Sequence, residues 1–294
     1  MKAIMLFFVA VNLYSFQLQA SNKAVHGEDN RKELYEVNNQ LHLDIARSSA
    51  AMIKKRKFHN RDEDTLLIKN KTLFENAVCA TESYANQIAA AECSGFLIGP
   101  NLLATAGHCV IDQADCDKYN WVFDYEIENQ SFFEFGSGEI VVSKKNVYAC
   151  KKILERKYDR KKGDDFAIIS LERTVDDRLP LSYRRTGKIE KSTTLAMVGY
   201  PSGVPKKVTD SGIIKKNVKP NFFITDLDSF SGNSGSPVFN SDTGVVEGIL
   251  VRGNDDYEYS RRLNCSTTRY YRNNRFARYG SDVTRITEIK MLKN

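Results

Sequence analysis

Past its first third, the chain is written in short apolar or alternating runs at 95–98, 102–106, 121–125, 139–143, 166–171, 193–198, 222–225, 237–239 and 245–251, parted by Gly, Asn and Pro. Runs this short cannot sustain helical periodicity, and turn residues between strand-length segments specify sheets that must close on themselves or stack to protect their edges. The expectation is an all-β barrel or sandwich. With 294 residues, 41% of them hydrophobic, there is material for one large or two small cores. The polar stretch 173–188, with Pro180 inside it, reads as a crossing between two halves. There is no internal repeat or low-complexity tract, and no apolar run reaches the roughly 20 residues of a membrane span.

Two blocks carry chemistry. The first is Thr105-Ala106-Gly107-His108-Cys109 and the second Gly232-Asn233-Ser234-Gly235-Ser236-Pro237. A serine hydroxyl is a weak nucleophile until a base takes its proton, and His108 is the base that a fold can bring to Ser234. The glycines on either side of Asn233-Ser234 permit a tight turn in which the N–H groups of Gly232 and Ser234 point at one spot, an arrangement that stabilises a developing oxyanion. A carboxylate on the far ring nitrogen would fix the imidazole tautomer. Asp165, at the mouth of the apolar run 166–171, is the candidate, with Asp164 its rival.

These blocks, with Asp165-Phe166-Ala167 between them, resemble those of the chymotrypsin-like and trypsin-like serine proteases, in particular the bacterial secreted branch that includes glutamyl endopeptidases. The resemblance covers 79–292. It implies two Greek-key six-stranded β-barrels with a C-terminal helix: an N-terminal barrel at 66–180 bearing His108 and Asp165, and a C-terminal barrel at 181–294 bearing Ser234. Residues 279–286 resemble the last barrel strand, and 287–292 the closing helix. It also implies a disulfide between Cys93 and Cys109. Connectivity of the other cysteines does not follow from sequence; Cys116 with Cys150 and Cys79 with Cys265 is the expectation.

The implied activity is a serine endopeptidase acting through an acyl-enzyme on protein or peptide substrates, without cofactor or metal. Asp228 stands six residues before Ser234, where trypsin-like members carry the aspartate on the floor of the primary pocket, and Gly253 falls on the pocket wall; together they imply cleavage after Arg or Lys. Leu250 falls where the glutamyl branch has its pocket histidine, which disfavours Glu. Two departures bear on this: Phe230 replaces the cysteine that usually braces the trypsin pocket, and Arg252 is placed to neutralise Asp228. Asn233 cannot make the activating ion pair of trypsin-like zymogens. The alternatives are a Glu-specific or broad-specificity endopeptidase, and an inactive protease-like binding module.

Residues 1–20 place Lys2 before the apolar stretch 3–11 and end in Leu18-Gln19-Ala20, the form of a secretory signal peptide. The other reading is a buried N-terminal helix. Export to the extracellular space or periplasm agrees with six cysteines of even count, none with zinc-ligand spacing. Residues 21–65 form a polar N-terminal segment or a pro-segment removed near Lys57 or Arg61, helix-like over 41–58; its histidines, His26, His42 and His59, have no motif around them. Its Glu28-Asp29-Asn30-Arg31 resembles the segment near the mature amino terminus of the glutamyl branch, which implies that part of this region packs on the barrels, the pro-segment being the alternative. The net charge of +6 is concentrated at 54–57, 161–162 and 269–278. Such runs are ordinarily solvated faces, with weak association to anionic surfaces the alternative. No nucleic-acid partner and no stable membrane insertion are expected.

Overall fold

The structure is a computed structural model that describes residues 24–129, 139–253, 255–271 and 280–293. The expected signal peptide at 1–20, and the basic cluster beyond residue 271, lie outside the described residues. Six strands close a first barrel: β1 (Ser49–Lys54), β2 (Ala91–Gly99), β3 (Leu102–Thr105), β4 (Tyr119–Val122), β5 (Val147–Asp159) and β6 (Asp164–Leu171), in the ring order β6-β3-β2-β1-β4-β5. Leu97, Leu103, Trp121 and Ile169 share its inner face, and Phe96, Phe166 and Ile168 the opposite one, all of them buried. A run such as β6, buried along nearly its whole length, must be apolar on both faces because one faces the barrel interior and the other the rest of the core.

A second sheet has seven strands: β7 (Leu195–Gly199), β8 (Lys207–Gly212), β9 (Ile214–Lys216), β10 (Phe222–Thr225), β11 (Pro237–Asn240), β12 (Val246–Arg252) and β13 (Ser281–Arg285), in the order β8-β7-β11-β12-β13-β10-β9. Because β8 and β9 are separated by Ile213 alone, they act as one bent strand that brings the two ends of the sheet together. Counting them as one, the second ring repeats the strand order of the first, with the fourth strand beside the first in each: the Greek-key arrangement. The fold is the all-β, two-barrel, chymotrypsin-like one expected, although no sequence repeat relates the halves.

Three local features differ from the sequence reading. The helix-like stretch 41–58 is an α-helix only at α1 (Gln40–Arg47), whose first N–H groups at Leu41 and His42 are capped by Asn39, with one 3-10 turn at Lys55–Lys57. The Ala-rich segment after it is β1, paired on one side with β2 and on the other with β4, so pairing overrides its helical propensity. The first barrel therefore begins at Ser49 rather than 66, and cleavage at Lys57 or Arg61 would strip a stave from it. The run 139–143 lies outside both barrels, in a three-stranded sheet with Phe58–Asn60 and Thr65–Lys69. At the C-terminus the closing helix takes the form of two 3-10 turns, Ile286–Glu288 and Lys290–Leu292. The period there is three, which stacks Ile286, Ile289 and Leu292 on one buried edge.

Disulfides join Cys79 to Cys265, Cys93 to Cys109 and Cys116 to Cys150. Three bridges in one chain fit an oxidising environment. No helix among the described residues is long and apolar enough to cross a membrane.

Candidate active site

Strand β3 ends at Thr105, which lies opposite Ala167 of β6. The turn after β3 and the opening of β6 are therefore neighbours, and they carry His108 and Asp165. The Asp165 carboxylate, 1% exposed, accepts the His108 backbone N–H at 3.0 Å through Oδ1 and stands 2.8 Å from His108 Nδ1 through Oδ2. Two contacts to one residue hold both the position and the ring orientation of His108. Asp164 is turned elsewhere, to Lys157 Nζ at 2.7 Å and to the Asn221 amide at 3.1 Å. On the solvent side the Tyr158 ring lies 6.1 Å from the imidazole, and Arg156 Nε donates to the Gly107 carbonyl at 2.8 Å.

Ser234 stands in the loop that enters β11. Gly232 and Gly235 both have φ near +90°, and a Cβ on either would fall 2.3 Å from the Tyr200 carbonyl oxygen or 1.9 Å from that of Ser94, so only glycine fits. Within this loop the N–H of Ser231 donates to Asp256, that of Asn233 to Phe230, that of Gly235 to Leu250 and that of Ser236 to Asn233. The N–H groups of Gly232 and Ser234 have no such acceptor among the described residues. They are the pair that the sequence marked for an oxyanion.

Ser94, which sequence reasoning passed over, organises this loop from the first barrel. Its hydroxyl donates to the Gly232 carbonyl at 2.8 Å and accepts the Tyr200 N–H at 3.2 Å. Its N–H donates to the Ser234 carbonyl at 2.7 Å, and its own carbonyl accepts the Thr105 hydroxyl at 2.7 Å. The neighbour of Ser94 is Cys93, bonded to Cys109 beside His108. One disulfide thus ties the support of the serine loop to the histidine turn. Cys93, His108 and Cys109 also form a cluster of metal-ligand type, but both sulfurs are committed to that disulfide.

The pocket residues differ most from the sequence picture. Asp228 is 1% exposed, and its carboxylate faces the N-terminal segment: Oδ1 accepts the His26 N–H at 2.6 Å and Oδ2 the Asn30 N–H at 3.2 Å. Burial pushes its carboxyl up to about 7, against which the two N–H groups pull. The Ala24 carbonyl accepts the Ser229 N–H, and residues Val25–His26 pair with Tyr270–Tyr271. Arg31, bonded to Asp29 at 2.6 and 2.8 Å, lies with its guanidinium 3.8 Å from the centre of the Phe230 ring. Glu33 and Lys207, both buried, meet at 3.0 Å and fasten the same segment to β8.

Arg252 does not neutralise Asp228. It pairs with Asp282 at 2.8 Å, and its Nη2 donates to the Gly163 carbonyl at 3.3 Å. Gly253 borders the pocket loop, since a Cβ on it would meet the Ser229 hydroxyl at 2.7 Å. Leu250 is buried in the second core. Asp256 was also missed: its carboxylate accepts the Ser231 N–H at 2.9 and 3.0 Å, and burial raises it to about 6. Of the other histidines, His42 is buried against Phe239 with its ring nitrogen 3.1 Å from the Ser241 hydroxyl, and His59 is exposed.

The sequence profile of the trypsin-like peptidase domain matches residues 93–249. A search of curated proteins finds no match. Among solved structures, similar ones include a Glu endopeptidase in complex with MPD, at 18% identity and TM-score 0.47 over 82% of this chain and 91% of that one. A protease from M. tuberculosis in its active form aligns at 13% identity and TM-score 0.46 over 97% and 91%, and the Vibrio cholerae VesB protease at 13% and 0.45 over 82% and 61%.

Proposed function

Given that the chain belongs to the trypsin-like peptidase family and is a serine endopeptidase, we propose that it cleaves peptide bonds through Ser234, His108 and Asp165 by way of an acyl-enzyme. The observation that carries this reading is the double engagement of Asp165, on the backbone N–H and on Nδ1 of His108, beside a serine loop with two unused amides. His108 Nε2 takes the Ser234 proton as Oγ attacks the scissile carbonyl, and the N–H groups of Gly232 and Ser234 receive the oxyanion. The imidazolium, stabilised by buried Asp165, returns the proton to the leaving amine. A water deprotonated by His108 then hydrolyses the ester on Ser234 and restores the hydroxyl. The three disulfides support action in an oxidising compartment, as a secreted protein would meet.

The preference for Arg or Lys rests on Asp228. A carboxyl that is 1% exposed, bonded to two backbone amides and raised to about 7 is poorly placed to draw in a substrate cation. With Leu250 in place of a pocket histidine, a Glu side chain has no partner either, and these observations favour an uncharged or broadly chosen residue at the cleavage position. The test has two arms. A fluorophosphonate probe should label the wild type at Ser234 and leave Ser234→Ala and His108→Ala unlabelled, with turnover lower by at least about 10⁴-fold in both; labelling that survives Ser234→Ala refutes the assignment. A peptide library then reads the cleavage position, and exclusive cleavage after Arg and Lys would restore Asp228 as the determinant.

A further inference from the structure

The hairpin between β5 and β6 carries Lys157, Arg160, Lys161 and Lys162, all exposed. Its carboxylates are already engaged. Asp159 accepts the backbone N–H groups of Lys161 and Lys162 at 3.0 and 3.2 Å, Asp164 holds Lys157, Asp165 faces His108, and Glu155 accepts the N–H groups of Lys290 and Met291. Arg160, Lys161 and Lys162 have no ion pair among the described residues. The hairpin starts beside the imidazole, at Tyr158, and its turn abuts the end of β12: Arg252 Nη2 donates to Gly163, and Arg252 Nη1 has no acceptor. Asn221 donates to the Lys162 carbonyl at 2.7 Å from the other side.

The direction of a bound peptide follows from β12. Its pairing with β11 ends at Ile249, and the backbone of Gly235 and Ser236 takes Leu250. Beyond that point the strand keeps β13 alone as neighbour. An extended peptide can add to such an edge through main-chain hydrogen bonds, and every pairing in this sheet is antiparallel. With Ser234 next to Leu250, an antiparallel peptide runs from Gly253 and Arg252 toward the serine. The residues on the amino-terminal side of its scissile bond therefore pass under the basic turn.

Resting on the serine endopeptidase reading above, we propose that the β5–β6 hairpin makes this a protease for acidic segments, selecting Asp or Glu two to four residues upstream of the scissile bond. The determinants are Lys161 and Lys162, with Arg160 beside them in the same exposed turn. This selection is independent of the residue in the primary pocket.

The test uses quenched peptides with the cleavage residue fixed by the library and Glu, Gln or Lys at each of the three upstream positions. An exposed charge pair is worth up to about fivefold, so kcat/KM for Glu over Gln should be about 2–5 at about 0.05 M salt and approach one at about 0.5 M. Lys161→Gln with Lys162→Gln should collapse the ratio, and Lys161→Glu with Lys162→Glu should turn the preference toward Lys. A wild-type ratio of one, or a ratio that survives both variants, overturns the proposal. So does loss of binding to anionic lipid vesicles in the variants with no change in the ratio, which would make the turn a surface-binding patch. Failure of the fluorophosphonate to label the wild type sinks the endopeptidase reading itself, whereas labelled enzyme with a flat ratio sinks only this inference.

Discussion

Asp228 supplies the sharpest test of the pocket as it is built. Its carboxyl is raised from the ordinary aspartate value to about 7 by burial, so the folded state holds a proton there that the unfolded chain releases near pH 4. The sign follows directly. Between those two values the native state binds more protons, and stability contributed at this site is complete below about pH 4 and lost as pH rises through about 7. This is the reverse of a salt-bridged aspartate. At about 1.4 kcal/mol per pKa unit, the three units amount to about 4 kcal/mol. Asp228→Asn removes the titration, keeps one oxygen for the His26 N–H, and sets an amide against the Asn30 N–H, a loss of about 1 kcal/mol at every pH. Urea denaturation of both forms, followed by circular dichroism in a Ser234→Ala background to prevent autolysis, should find them within about 1 kcal/mol at pH 5 and the variant ahead by about 2–3 kcal/mol at pH 8. Stability curves that run parallel across this range would refute the buried-carboxyl argument. A wild type that gains on the variant at high pH would show Asp228 to be a charged, partnered pocket floor.

Two further outcomes follow from the same loops. Ser94→Ala leaves the Tyr200 N–H and the Gly232 carbonyl without their partner, so it should cost about 2–4 kcal/mol and lower kcat about 10- to 100-fold with KM little changed, as measured by urea denaturation and peptide hydrolysis. Arg31→Met strands partly buried Asp29, at a cost of about 2–4 kcal/mol in denaturant unfolding, and adding Asp29→Asn should recover part of that loss; an additive double variant would mean that the pair is not coupled.

How much of this was legible depends on whether the information is local. His108, Asp165 and Ser234 sit in blocks whose glycines and flanking strands carry their own requirement, so the order of the blocks pointed to the fold. Strands β3, β6 and β12 are apolar runs that no solvated helix would tolerate. Segment Ser49–Lys54 was misread because Ala and Met suit a helix as well as a strand, and only pairing with β2 and β4 decides between them. The partners of Asp228 were invisible for a stricter reason: they are backbone N–H groups, some 200 residues away, and every residue except proline offers one. Asp256 likewise meets a backbone N–H, that of Ser231, though only 25 residues away. A carboxylate near a serine motif announces its charge, but the sequence does not say whether substrate or main chain receives it.

This distinction changes how the pocket is held. In trypsin-like relatives a cysteine is expected where Phe230 stands. Here the loop from Asp228 to Ser231 is fastened by two carboxyls on amides, by the Ala24 carbonyl on the Ser229 N–H, and by a guanidinium on the Phe230 ring. None of these is covalent, and three of the four come from Ala24–Arg31, ahead of the first barrel. Folding of the pocket is therefore coupled to docking of that segment, while the His108–Asp165 pair, built within the first barrel, does not depend on it. On the function proposed above, the catalytic pair and the substrate pocket have separate supports, and the pocket rests on the chain's own N-terminal segment.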